Sequence, residues 1–503
     1  MAGKKEKVKA IKVKTGLKAR TLRQTITVFG MRALKLYGDE VNLDRATLDL
    51  IDGLKPVQRR ITYGTSQVAR EKFAKSAQIV GHVMGVYHPH GDSSIYGAMI
   101  TMANSCVPLL HGDGNWGSMI DGAAAMRYTN ARLSHFGRAG FDSDYMNPTV
   151  TSMVPNYDDK TLEPVSIPFP LPVILFNGGE GIGYATASNL PSFTPESVVE
   201  VLTKLLKGEK LKALDFAKIL KPTYKWGGEF VKTKENKAAW LDMFTTNKAS
   251  VQFQSPLNVD TVKRTIIVNE WPNGLDVLKF IDWAKSLPEV QSADPTKGTT
   301  EFTITCKKGY NSVQFDTLVE KVQKKTRCKT SFNINVTSRK AIIVDGVVDY
   351  EVALMSLSVP QLVVAWLRAR LDTEKRSLDY RIDKQLAAIA YSELLIFAAS
   401  KLDIIVPIIK TSKQPREDLS KKLKLTLEQA DQILDLTLRK LTRLDQAAID
   451  TKRKEQVKFL KQLREWLAKP KRKVLLDIEA AMQAIKADRD YADNRKNQTL
   501  TVA

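Results

Sequence analysis

Two apolar stripes at helical spacing constrain this chain most. Leu371, Leu378, Ile382, Leu386 and Ile389 form one, and Val457, Leu460, Leu463 and Leu467 form the other. A seam repeating roughly every 3.5 residues must be covered by a partner helix. The two stripes therefore predict long helices that pair antiparallel, with the intervening chain as a knob at the far end. Within that knob Thr426-x-x-Gln429 is a capping box. It opens a helix with Ala430, Ile433, Leu434, Leu438 and Leu441 on one side. The same stripes suit a helix pair that folds only on itself and one whose head binds a second copy.

The chain before this arm changes character once. From about 23 to 155 it reads as mainly helical with Gly-rich turns. Asp92-Ser93 offers an N-cap to a helix with Ile95, Met99 and Met102 on one face. A shorter apolar helix, Ile79 to Val86, precedes it across Tyr87-His88-Pro89-His90-Gly91. Helix, turn, helix suits a DNA-reading motif or a plain packed pair. From about 156 to 355, β-branched runs at 251–254, 265–268, 302–305 and 341–344 predict strands. Helical patterns near 196–206 and 275–286 alternate with them. The fold class is α+β and multidomain. The segments are a basic arm (1–22), 23–155, 156–355, an arm of 356–490 with its head at about 402–446, and a polar tail (491–503).

The formal net charge is +22, which suits a polyanionic partner through counterion release and steering. Charge alone leaves ribosome-like or membrane-surface proteins open. No apolar run approaches the ~18 residues of a membrane span, and the lysine-rich start lacks a secretory h-region. The three cysteines, Cys106, Cys306 and Cys328, form no CxxC pair, so a zinc knot is not expected. A soluble cytoplasmic protein with free thiols is expected.

Four blocks carry chemistry. Asp52-Gly53-Leu54-Lys55-Pro56-Val57-Gln58-Arg59-Arg60, with Arg45 upstream, is a basic turn. His88-Pro89-His90-Gly91-Asp92-Ser93 concentrates two of the chain's five histidines. Ala123-Ala124-Ala125-Met126-Arg127-Tyr128-Thr129 sets a tyrosine beside an arginine. Asn177-Gly178-Gly179-Glu180-Gly181-Ile182-Gly183 is glycine-dense, but no lysine follows in phosphate-loop spacing. A half-buried core tyrosine, a solvated basic turn and a glycine turn with Ile182 packed inside are the plain structural alternatives.

In this order the blocks resemble the DNA-cleaving subunit of type IIA topoisomerases: gyrase A, topoisomerase IV A and phage medium subunits. The resemblance spans roughly 25 to 480. It implies a winged-helix DNA-gate domain with the catalytic tyrosine at 23–155, a tower domain at 156–355, and a coiled coil with a dimerisation head. It implies Tyr128 as nucleophile, assisted by Arg127, His88 and His90. Arg45, Lys55, Arg59, Arg60 and Ser93 are then expected to contact DNA, with Ile182 wedged between base pairs. Where bacterial relatives usually carry histidine, this chain has Gln58; that and the Asp-Leu-Ile-Asp-Gly entry lean towards the phage type, whereas the His88-Pro89-His90-Gly91-Asp92 loop resembles the bacterial one. No tight acidic cluster flanks Tyr128, so Mg2+ and ATP are expected on a partner ATPase subunit. The assembly implied is an A2B2 heterotetramer around duplex DNA, with no membrane role. With only a short tail after the last helical pattern, 474–488, no wrapping domain is expected. Relaxation and decatenation are expected, without negative supercoiling. Quinolone binding is expected to be weak, because Ser93 is present but Gly97 stands where the second, acidic anchor would be. The rival readings are a non-enzymatic architectural DNA-binding coiled-coil dimer and a catalytically inactive homologue.

Overall fold

The computed structural model describes residues 34, 37–38, 41–184, 186–296, 300–344, 347–436 and 446–501. The basic arm at 1–22 lies outside the described residues, as do Leu438 and Leu441.

Three helices open the described chain: α1 (Pro56–Val68), α2 (Ser76–Val86) and α3 (Asp92–Ala103). Along α3, Ile95, Met99 and Met102 are buried as their spacing predicts, and Tyr96 joins them. Burial of each such side chain stabilises by about 1.5–3 kcal/mol. The N-cap of α3 is Gly91 rather than Asp92. Asp92 is the first helical residue, where its charge faces the helix dipole. A small antiparallel sheet packs on these helices, in the order β1 (Ala74–Lys75), β3 (Asn130–Leu133), β2 (Leu110–Asp113). The sequence pattern does not reveal this sheet, since its strands are too short to show alternation. The helix α4 (His135–Ala139) follows β3.

The middle of the chain is α+β, as its strand runs predict. One five-stranded sheet includes the hairpin β4 (Gly179–Ile182) and β5 (Ala187–Leu190). A separate four-stranded sheet contains the 265–268 and 302–306 strands. It has its own core, around Trp271, Phe280, Phe302 and Phe315.

The arm is a 42-residue helix, α5 (Val359–Ser400), packed against α6 (Gln446–Ala468). Gln385 Nε2 donates to Gln456 O at 3.0 Å and Ser392 Oγ to Gln456 Oε1 at 2.9 Å. Arg453 pairs with Glu393, so the two helices run antiparallel. Leu386 and Val457 are exposed, contrary to the stripe pattern. Near that level Gln385, Ser392 and Gln456 add hydrogen bonds to the seam beside the buried Ile389 and Leu460. The head has a small core of Ile405, Ile408, Leu419, Ala430 and Ile433. Thr426 and Gln429 form their capping box, with both cap bonds in place.

The last helix, α7 (Pro470–Thr501), runs beyond the expected 474–488 pattern. Val474, Ile478, Ala481 and Ile485 return it to the main core, which also holds Ile79, Met99, Leu133 and Phe176. Arg370 on α5 pairs with Glu374 and Asp477, both at 3.0 Å, and donates to Tyr145 Oη at 2.9 Å. This buried network ties the arm and α7 to the turn at Tyr145, which follows α4.

Candidate active site

Tyr128 is 64% exposed, which removes the core-tyrosine alternative. Its backbone is anchored on both sides. The next residue, Thr129, is fully buried, and its Oγ1 bonds to Ser76 Oγ (2.8 Å) and Tyr96 Oη (2.9 Å). Tyr96 Oη also donates to Ala124 O at 2.7 Å. One hydroxyl on α3 thus fixes both ends of the loop that presents Tyr128. The Arg127 guanidinium lies 4.7 Å from the Tyr128 ring centroid, a cation–π arrangement. Sequence reasoning missed Tyr96 and Ser76, whose hydroxyls carry no local signal.

His88, His90 and Arg60 form a second group. The two imidazoles stack at 4.1 Å between centroids. Arg60 Nη1 lies 3.2 Å from His88 Nδ1, and Glu163 holds the same guanidinium at 2.7 and 2.9 Å. Burial first, then the charges of His90, Arg60 and Arg45, push the His88 pKa down to about 4. Arg45 therefore belongs to this electrostatic group, on the exposed side of the 42–46 helical turn. Ser93 is exposed on the first turn of α3, near Asp92. Among the described residues, neither Arg127 nor Tyr128 bonds to the His88 group.

Arg59 does not lie on the basic surface where a phosphate contact was expected. It is 5% exposed and forms ion pairs with Asp52 at 2.5 Å and Asp49 at 3.8 Å. Burial opposes its charge, but Asp52 and Asp49 more than compensate and raise its pKa. Arg59 is part of the internal frame of the turn. Lys55 is half-buried, and burial lowers its pKa against the opposing pull of Glu180. Gln58 Oε1 accepts the Lys55 N–H at 3.0 Å. At this position an amide caps α1, which accounts for Gln58 without a catalytic role.

Ile182 is 90% exposed at the end of β4. The packed alternative for this side chain is excluded. The glycines around it serve close approach: a Cβ at Gly181 would fall 1.9 Å from Ala46 O, and one at Gly183 would fall 1.9 Å from Asn42 Oδ1. Asn42 Oδ1 accepts Tyr184 N–H at 2.7 Å and its Nδ2 donates to Tyr184 O at 2.9 Å. The hairpin carrying Ile182 is thus locked to the turn carrying Arg45.

The residues around Tyr128 do not fit a Mg2+ site by themselves. Mg2+ requires a near-octahedral set of oxygens. Asp113 is held by Asn130 Nδ2 at 2.9 Å, and no acidic cluster converges on the tyrosine among the described residues.

The family described as the A subunit of DNA gyrase/topoisomerase IV matches residues 45–479. The DNA topoisomerase 4 A subunit of Pseudomonas aeruginosa is 31% identical over 498 residues, covering 96% of this chain and 63% of that protein. Its counterpart in Escherichia coli K12 is 30% identical, with 94% and 63% covered. The DNA gyrase A subunit of Kosmotoga olearia is 29% identical, with 92% and 57% covered. The chain spans about three-fifths of the length of these relatives. No described helix is long and apolar enough to cross a membrane. The chain belongs to the DNA gyrase/topoisomerase IV A-subunit family.

Proposed function

We propose that the chain is the DNA breakage-and-rejoining subunit of an ATP-dependent type II topoisomerase. Tyr128 Oη attacks a backbone phosphorus. The bond to the 3′ oxygen breaks, that oxygen leaves as a hydroxyl, and the 5′ phosphate stays on the tyrosine. The reverse attack by the 3′ hydroxyl reseals the strand, so no water is consumed. The observation that carries this reading is the exposed Tyr128, beside Arg127, on a rigid platform.

A free phenol has a pKa near 10, and the pentacovalent transition state gathers negative charge. Arg127 places a cation next to both. His88, neutral with its Nδ1 accepting from Arg60, presents an Nε2–H to a phosphate oxygen. Lys55, Arg45, Arg60 and Ser93 line the backbone contacts that hold the duplex in register. Ile182 acts as an apolar wedge that unstacks a base step and bends the duplex. The helices α2 and α3 with the three-stranded sheet serve as a winged-helix domain, the 156–355 region as a tower, and the helical arm as a coiled coil whose head joins two copies.

A B-type partner supplies ATP hydrolysis and the Mg2+ that this donor set does not hold, within a cytoplasmic A2B2 assembly. Together they relax and decatenate duplex DNA by passing a second segment through the break. An architectural DNA-binding dimer would explain the charge and the arm, but not an exposed Arg127-Tyr128 pair. Detergent quenching of the chain with a B-type partner, Mg2+, ATP and plasmid tests the reading. Protein covalently attached to 5′ DNA ends is expected. DNA binding without any attachment would favour the architectural protein or the inactive homologue.

A further inference from the structure

Two of the five histidines meet a single carboxylate far from them in sequence. His111 lies on β2, His135 opens α4, and Asp488 lies on α7. Asp488 Oδ1 is 2.8 Å from His111 Nε2 and 2.8 Å from His135 Nδ1. The three ligand atoms lie within 4.8 Å of one another. His111 and Asp488 are buried, with side chains 4% and 3% exposed, while His135 is 35% exposed.

We propose that His111, His135 and Asp488 form a transition-metal site of the Zn2+ class, which staples α7 to the strands flanking Tyr128. Two imidazole nitrogens and one carboxylate oxygen are a donor set that Zn2+ takes with one position left open. The set does not suit Mg2+ or Ca2+, which take oxygens. The carboxylate is oriented from behind, as ligating carboxylates are. Its Oδ1 accepts the His135 backbone N–H at 2.7 Å, and its Oδ2 accepts that of Phe136 at 2.9 Å. The half-exposed His135 leaves the open position on the solvent side, where water completes the shell.

His135 Nδ1 lies within hydrogen-bond reach of Oδ1, and His111 Nε2 meets the same oxygen as a close pair. A ring that binds metal must be neutral, with its proton on the nitrogen away from the ion. A tetrahedral site with bonds near 2.0–2.1 Å has ligand separations of roughly 3.3 Å. Each ring then withdraws from Oδ1 by about half an ångström, while the two ring nitrogens, within 4.8 Å of each other, settle at the same separation. The inference does not depend on the DNA chemistry proposed above.

The test uses the full chain with His88→Gln and His90→Gln as background, so that the stacked pair cannot bind the ion. Metal-free protein is titrated with Zn2+ and with Co2+. Bound metal is read by mass spectrometry after gel filtration, Co2+ geometry by visible absorption, and stability by thermal melting. Stoichiometric binding, tetrahedral Co2+ bands and a raised Tm are expected. His135→Gln, at the half-exposed ligand, is expected to fold and to lower affinity by ~100-fold or more, beyond the loss of an outer partner. His111→Gln is expected to do the same. Absence of binding at micromolar free metal, or equal binding by His135→Gln and its parent, overturns the proposal and leaves the triad as a hydrogen-bonded helix cap.

Discussion

Arg60 Nη1 sits 3.2 Å from His88 Nδ1. A guanidinium only donates, so His88 Nδ1 accepts and its ring proton is on Nε2. The relationship assigns the ring a state that its sequence position alone does not. His88 thus presents a neutral N–H donor, and it is not a base waiting to be protonated.

The pH dependence follows with a definite sign. The folded pKa of His88 is about 4, below the ordinary value near 6.5. Folding therefore favours the neutral ring. The resulting stability is fully present above about pH 6.5 and is lost as pH falls through about 4. DNA cleavage is expected to show no acid limb from His88 near pH 6.5. Arg60→Gln removes one of the cations that depress the ring and is expected to raise its pKa. Proton NMR titration of His88 in both proteins checks this. A wild-type midpoint near 6.5 would contradict the assignment.

Arg59 and Arg60 are neighbours with opposite fates. Arg59→Ala leaves the buried Asp49 and Asp52 short of their cation and is expected to destabilise by about 3–5 kcal/mol. Lys55→Ala is expected to leave thermal stability nearly unchanged. It weakens DNA binding and reduces the salt slope by ~0.9. Denaturant unfolding and salt-dependent binding isotherms separate the two effects. Equal loss of stability in both variants would show that Lys55 too is part of the frame.

Ile182→Ala is expected to keep the fold, because the side chain packs against nothing it would leave behind. It is expected to reduce DNA bending, read by energy transfer between labelled duplex ends, and to reduce cleavage with it. Gly181→Ala drives a methyl into Ala46 O and is expected to shift the whole hairpin, with a fall in stability as well as bending. Unchanged bending in Ile182→Ala would remove the wedge role.

Local pattern made much of this legible. The α3 face of Ile95, Met99 and Met102, the strands at 265–268 and 302–306, and the capping box at Thr426 all follow from short-range spacing. The exposed Tyr128 follows from its context. Arg59 was not legible, because adjacent helical residues point about 100° apart. Which one turns inward depends on Asp52 and Asp49, not on α1 itself. Glu163, which holds Arg60 from 103 residues away, leaves no trace near either motif. Leu386 and Val457 are exposed, and Gln385, Ser392 and Gln456 add polar bonds to the seam near them. A stripe read by hydrophobicity alone cannot show that.

Drug response gives a further check. Ser93 is exposed and Gly97 lies one turn on, with open space where a Cβ would stand. Gly97→Glu is expected to fold normally and to raise quinolone-trapped cleavage, since it restores the acidic anchor expected from the family resemblance. Trapping by wild type equal to the variant would refute that anchor arrangement.

The most direct measurement is Tyr128→Phe, assayed with a B-type partner, Mg2+, ATP and plasmid under detergent quenching, alongside duplex-DNA binding. Binding rests on many phosphate contacts and one hydroxyl adds little to it. The account predicts near-wild-type binding by Tyr128→Phe with complete loss of protein-linked 5′ ends. Covalent 5′ linkage surviving in Tyr128→Phe would place the nucleophile elsewhere and contradict it.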